Sequence, residues 1–85
     1  MNEENSMDVG VQPLDTLMEQ HSLSNHDLVA AMPPGYITHK QVQKARKGRR
    51  LTPHLQDKVI KALNVCLDDD FSISDVFNYR GKKNL

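Results

Sequence analysis

The amino-acid sequence predicts a small all-α domain, a compact bundle of about five short helices. Apolar residues recur at the three- and four-residue spacing of helix faces, and no segment shows the alternation of a half-buried strand. Ser and Thr precede the periodic segments, where helix N-caps are expected, and Pro and Gly separate them. The 85 residues include only two Phe, two Tyr and no Trp, so we expect a single modest core.

The first two predicted helices lie in the amino-terminal half. The first begins at Pro13, which suits a first turn, and ends near His21. Its apolar face is formed by Leu14, Leu17 and Met18. Ser24 is the expected N-cap of the second helix, and Asp27 three residues later favours the positive end of the helix dipole. The apolar side of this helix is formed by Leu28, Val29, Ala31 and Met32. The run Pro33-Pro34-Gly35 cannot continue a helix, so the chain turns there.

Three further helices are predicted in the second half. Thr38 is the N-cap of the third, with Gln41 completing a capping box, and Gly48 follows its end near Lys47. Thr52 precedes Pro53 at the start of the fourth. Its apolar stripe is Leu55, Val59, Ile60, Ala62 and Leu63. The fifth helix begins near Ser72 or Ser74, with Ile73, Val76 and Phe77 facing inward.

The two ends of the chain lack helical periodicity. Residues 1–12 are polar and acidic and predict a flexible tail, and residues 80–85 predict a frayed cationic one. The domain is therefore expected to span residues 13–79. The amino terminus shows no apolar signal sequence, and no stretch approaches the roughly 18 apolar residues of a membrane span. We expect a cytoplasmic protein, associated with the nucleoid if it binds DNA.

Positive charge is concentrated in one short segment. Residues 40–50 carry six Lys and Arg and no acid, whereas residues 1–39 carry six Asp and Glu and no Lys or Arg. The formal net charge of zero therefore hides a cationic element beside an anionic half. Most charge runs are solvated surfaces, but a protein that holds a polyanion concentrates its cations on the element that touches it. The segment indicates a nucleic acid or another acidic partner.

The third predicted helix has one apolar face and one polar face. At 100° per residue, Val42 and Ala45 point one way. The opposite face carries His39, Lys40, Gln43, Lys44 and Lys47. Lys can donate to guanine O6 and N7, and Gln can pair bidentately with adenine. Gly48-Arg49-Arg50 then leaves the helix with two more cations placed for backbone phosphates.

The chain resembles the lambda-repressor-like helix-turn-helix family, also described as Cro/repressor or XRE-type proteins. The run LSNHDLVA at 23–30 resembles the first helix of the motif, and ITHKQVQKARKGRR at 37–50 resembles the recognition helix with its basic exit. The run KVIKALNV at 58–65 resembles the next helix. The likeness covers roughly residues 14–77. Two features depart from the family, which often has Glu where Arg46 stands and a shorter turn than residues 32–37.

The resemblance implies residue roles. Bases of the major groove would be read by Thr38, His39, Lys40 and Lys44, with Gln43 as a neighbour. Phosphates would be contacted by Asn25, Lys47, Arg49 and Arg50. No cofactor is implied. A recognition helix this short contacts few base pairs, and proteins of this kind generally bind a two-fold DNA site as two copies. We therefore expect a homodimer. The expected dimer contact is the fifth helix, through Ile73, Val76, Phe77 and Tyr79; the alternative is that these residues close the core of a single chain.

The leading hypothesis is a sequence-specific double-stranded DNA-binding protein, a small transcriptional regulator. The alternative is a protein-interaction or adaptor module of the same fold that docks an acidic partner. RNA is less favoured, because the few aromatic residues cannot form stacking platforms.

We expect no enzyme, no small-molecule substrate and no metal site. Ser24, His26 and Asp27 are triad residue types, but neighbours in sequence rarely adopt triad geometry. The four His residues lack metal-ligand spacing. A lone Cys66 excludes an internal disulfide and fits a buried small hydrophobe better than a reactive thiol.

Overall fold

The computed structural model of this protein describes residues 10–79. Within them lie five α-helices and no β-strand. The helices are α1 (Pro13–Gln20), α2 (Asn25–Ala30), α3 (His39–Lys47), α4 (Pro53–Leu67) and α5 (Ile73–Val76). The predicted all-α bundle of five short helices is therefore confirmed. The tails predicted for residues 1–9 and 80–85 lie outside the described residues.

Side-chain caps begin the helices that carry the candidate site. The Ser24 hydroxyl accepts from the backbone N–H of Asp27 at 3.2 Å, and the Asp27 carboxylate accepts from the backbone N–H of Ser24 at 2.7 Å. Thr38 and Gln41 make the same reciprocal pair at 3.1 Å each way. The backbone N–H and hydroxyl of Ser24 lower the pKa of Asp27, because both hydrogen bonds favour the charged carboxylate. The cap thus operates with Asp27 ionised.

The second helix ends earlier than its apolar pattern suggests. The sequence predicts an apolar side that continues to Met32, whereas α2 ends at Ala30. Met32 precedes Pro33, and the proline ring disfavours the helical conformation in the residue before it. The chain then turns through residues 31–38, with Gly35 at a positive φ of 84°.

The core holds α3 from three sides. Helix α3 packs against α1, α2 and α4. Val42 and Ala45 are completely buried beneath it, as the sequence predicts. Other apolar side chains that fill this core are Leu14, Met18, Leu28, Ile37, Leu51, Val59, Ile60, Ala62, Leu63, Val76 and Phe77. Burial of one α3 face fixes the opposite, cationic face toward solvent.

The last helix is part of this core. Val76 is completely buried and Phe77 is only 2% exposed, and α5 packs against α1 and α4. Ile73 and Tyr79 are partly buried against the same core. Of the two roles that the sequence leaves open for Val76 and Phe77, their burial supports the second, since both side chains lie inside the core of one chain. Dimerisation through another surface stays a prediction.

Residues 10–12, which the sequence assigns to a tail, pack on the domain. Gln12 is 1% exposed. Its backbone N–H donates to the Arg46 carbonyl at 3.2 Å, and its Oε1 accepts from the Asn78 N–H at 2.8 Å. Its Nε2 donates to the Gly10 carbonyl at 2.8 Å. A buried amide is tolerated here because its polar atoms are satisfied, and composition cannot reveal that.

Candidate nucleic-acid interface

The polar face of α3 forms one wall of an open groove of about 600 Å³. Seven of the nine residues predicted to contact DNA line it. They are Asn25, His39, Lys40, Gln43, Lys44, Lys47 and Arg49. The structure therefore brings most of the predicted set together on one surface, with the start of α2 beside the full length of α3.

The two remaining predicted residues lie at the edges of this surface. Thr38 is exposed, but its hydroxyl caps α3 by accepting from the Gln41 N–H. Arg50 is half-buried, with its guanidinium carbon 5.3 Å from the centre of the Tyr79 ring. A cation over an aromatic face is attracted by the ring electrons, so Arg50 is held against the protein.

The three lysines of the groove are exposed and electrostatically unbalanced. Lys40, Lys44 and Lys47 have no ion-pair partner among residues 10–79. Like charges one turn apart on a helix repel by a few tenths of a kcal/mol per pair. An anion from outside the chain would relieve that repulsion, which makes this surface suited to a polyanion.

Arg46 belongs to the same charged segment but has an internal role. Its Nε lies 2.6 Å from Oδ1 of Asp15, and its Nη1 donates to Oδ1 of Asn25 at 2.8 Å. The Arg46 side chain is 18% exposed. It therefore ties α3 to α1 and α2. The charge segregation of the sequence does not distinguish this arginine from its neighbours, because its partners lie 31 and 21 residues away.

Two side chains of the groove are already paired with each other. Nδ2 of Asn25 donates to Oε1 of Gln43 at 2.8 Å, across 18 residues of sequence. The sequence predicts that Asn25 contacts phosphate and that Gln43 lies beside the base-reading residues. The structure places them in direct contact, so the orientation of each amide depends on the other.

A histidine pair lies at the amino-terminal end of the groove. Nδ1 of His26 and Nε2 of His39 are 3.4 Å apart, while the ring centres are 5.5 Å apart. The two rings are stacked with their planes 16° apart, and the tautomers of the two histidines determine which of the facing nitrogens donates. No group of three or more metal-ligand side chains occurs in residues 10–79.

Tyr79 secures the basic exit from α3, a role that sequence reasoning missed. Its hydroxyl oxygen accepts from the Leu51 N–H at 2.8 Å, and its O–H faces the Arg49 carbonyl at 3.3 Å. Burial raises the pKa of Tyr79, although the bond from Leu51 and the charge of Arg50 oppose the rise. The phenol thus stays protonated and able to donate. An aromatic residue near the carboxyl end was the only signal in the sequence.

Replacing Tyr79 with Phe should destabilise the domain by about 1–2 kcal/mol, because the part-buried N–H of Leu51 loses its acceptor. Urea denaturation followed by circular dichroism measures this change. Tyr36→Phe is the matched control, since no hydrogen bond of the Tyr36 hydroxyl occurs in residues 10–79. It should change the free energy of unfolding by less than about 0.5 kcal/mol. Equal effects would contradict the role given to Tyr79.

Ser24, Asp27 and Cys66 make contacts within the fold. Ser24 and Asp27 satisfy each other in the cap of α2. Sγ of Cys66 donates to the Asp27 carbonyl at 3.2 Å. Burial, followed by the charge of Asp27, raises the pKa of Cys66. The thiol is thereby kept protonated and poorly nucleophilic.

Comparisons with known proteins return no relative. The chain matches no protein-family model, no curated protein and no solved structure. Across residues 10–79, none of the helices combines the length and the apolar character that crossing a membrane requires. The function is therefore inferred from the residues of the groove and their chemistry.

Proposed function

We propose that this protein binds double-stranded DNA sequence-specifically, as a small transcriptional regulator with α3 in the major groove. The observation that carries the proposal is the open groove of Lys40, Lys44, Lys47 and Arg49, in which three lysines lack ion-pair partners among the described residues. Asn25, His39 and Gln43 add hydrogen-bonding groups to the same surface. Phosphate attraction supplies affinity, and contacts with base edges supply specificity.

The dimensions of α3 suit this role. An α-helix with its side chains is about 10–12 Å wide, and the major groove of B-DNA is about 12 Å wide. Helix α3 is anchored on its buried face by Val42 and Ala45. It can therefore enter the major groove of DNA without separating from the core of the protein. Under this proposal α2 and α3 act as a helix-turn-helix of the lambda-repressor-like type. Two copies would read a two-fold site.

Binding to duplex DNA should depend strongly on salt. If about four to six phosphates are neutralised, the slope of log K against log salt concentration should be roughly −4 to −5. Fluorescence anisotropy with a labelled random duplex, titrated at several salt concentrations, measures this slope. Absence of binding by micromolar protein at about 50 mM salt would contradict the proposal, since electrostatic affinity is greatest there.

A protein-interaction module that docks an acidic partner is the second candidate function. It is favoured by the formal net charge of zero and by the six acids of residues 1–39, which oppose long-range attraction to DNA. A module of this kind would use the same groove cations but would show no preference among duplex sequences. Failure of the salt titration would therefore favour this candidate.

A further inference from the structure

A chain of polar contacts runs from α1 into the groove. It begins at the Asp15 carboxylate, passes through the Arg46 guanidinium and the Asn25 amide, and ends at the Gln43 amide. The successive distances are 2.6, 2.8 and 2.8 Å. Asp15 and Arg46 are 27% and 18% exposed, whereas Gln43 is exposed in the groove. This series of polar contacts thus connects the partly buried Asp15–Arg46 ion pair with Gln43, whose side chain can touch a ligand.

The hydrogen-bond polarity of this chain is fixed from its inner end. A guanidinium only donates, so Arg46 requires the Oδ1 atom of Asn25 as its acceptor. The opposite side of the Asn25 amide is then Nδ2, which only donates. Gln43 must meet it with Oε1, and its own Nε2 faces away from Asn25. No hydrogen bond of that Nε2 occurs within residues 10–79.

We propose that Asp15 and Arg46, acting through Asn25, make Gln43 a hydrogen-bond donor toward DNA. This inference rests on the proposed function and deepens it by naming what one position reads. The bidentate adenine contact expected from the sequence would require Oε1 to accept a second hydrogen bond beside the one from Asn25, whereas Nε2 has no partner within residues 10–79. Gln43 instead reads acceptors of the major groove. Guanine offers two, N7 and O6, whereas cytosine offers only a donor.

One substitution reverses the polarity. Asn25→Asp preserves an acceptor for Arg46 but replaces the Nδ2 donor with a carboxylate oxygen. Gln43 must then turn its amide to donate to that oxygen, which presents Oε1 outward. Preference at the contacted base should change from guanine to cytosine, whose N4 is a donor. The added negative charge weakens binding to every duplex alike, so it cancels in the ratio between sequences.

A second substitution changes the Gln43 atom that faces away from Asn25 and leaves the polar contacts among Asp15, Arg46 and Asn25 intact. Gln43→Glu still accepts from Asn25, and the Arg46 contacts are unchanged. Its outward group becomes a carboxylate oxygen, which accepts from cytosine N4. Both variants should therefore move preference in the same direction, by about tenfold at that base. Gln43→Ala is the control and should remove the preference at that base alone.

The experiment combines selection from a randomised duplex library with nuclear magnetic resonance of the free protein. In the unmodified protein we expect the Asn25 side-chain NH₂ to be hydrogen-bonded and the Gln43 NH₂ to be solvent-exposed. In Asn25→Asp we expect the Gln43 NH₂ to become hydrogen-bonded, and the selected base should change. A bonded Gln43 NH₂ in the unmodified protein would overturn the inference whether or not DNA binds.

The outcomes separate this inference from the proposed function. Specific DNA binding with an unchanged base preference in both variants would overturn the inference and leave the proposed function standing. Failure of the unmodified protein to bind any duplex would overturn the proposed function and, with it, the reading role of Gln43. If Asn25→Asp loses its fold, Gln43→Glu and the amide resonances of the unmodified protein still decide the matter.

Discussion

Gly48→Ala is expected to lower the free energy of unfolding by about 2–4 kcal/mol, a large part of the stability of so small a domain. Gly48 ends α3 in the left-handed conformation, with φ at 93°. A methyl group there would also overlap the backbone of Gly10, whose carbonyl lies where the Cβ would go. Alanine therefore meets two penalties, one from its backbone conformation and one from the packed segment at residues 10–12.

Gly35→Ala separates these two penalties. Gly35 has a similar positive φ of 84°, but nothing lies within 4 Å of the position of an added Cβ. Its replacement should cost only the conformational part, about 1–2 kcal/mol. Urea denaturation of both variants under the same conditions measures the difference. Equal decreases in the free energy of unfolding would show that residues 10–12 move away from the added methyl group at no cost, contrary to the contacts of Gln12.

The crowding at Gly48 has a consequence for the groove. The backbone N–H of Gln12 donates to the carbonyl of Arg46, and Gly10 lies against Gly48, so residues 10–12 cover the end of α3. Arg49 follows Gly48 in the sequence, and its carbonyl accepts a hydrogen bond from the Tyr79 hydroxyl. Displacing residues 10–12 would therefore disturb the end of α3 and the basic exit together.

Local signals predicted the helices well, for a physical reason. Caps such as Ser24, Thr38 and Thr52 act within three residues of sequence, and the buried face of α3 follows from a period of 3.6 residues. Burial of Val42 and Ala45 fixes which side chains of α3 remain outside. Sequence periodicity was therefore sufficient to predict the exposed surface of the groove.

Long-range contacts were beyond such signals. In the sequence Arg46 cannot be distinguished from the other cations of its segment, and only the fold shows its contacts with Asp15 and Asn25. His26 and His39 are 13 residues apart, and no spacing rule joins them because the turn between α2 and α3 decides their meeting. Gln12 likewise looks like a tail residue. Each depends on how helices pack, which one-dimensional patterns do not encode.

Replacing Lys40, Lys44 and Lys47 together with Gln is expected to weaken duplex binding by about 10²–10³-fold at about 0.1 M salt. All three side chains line the groove, and each phosphate contact contributes through the release of a counterion. The slope of log K against log salt should flatten by about three units. Stability should not fall, because the lysines lack ion-pair partners within residues 10–79 and their mutual repulsion is removed.

Lys61→Gln is the charge-matched control for a single lysine of this set, Lys44→Gln. Lys61 is exposed on α4 and lies outside the groove, beside the acidic residues 68–70. Both substitutions remove one positive charge, so any effect of net charge alone is the same. Lys44→Gln should flatten the salt slope by about one unit, and Lys61→Gln should leave it unchanged. Equal changes in the salt slope would mean that DNA binding depends only on the total charge of the protein, and the proposed docking of α3 would be wrong.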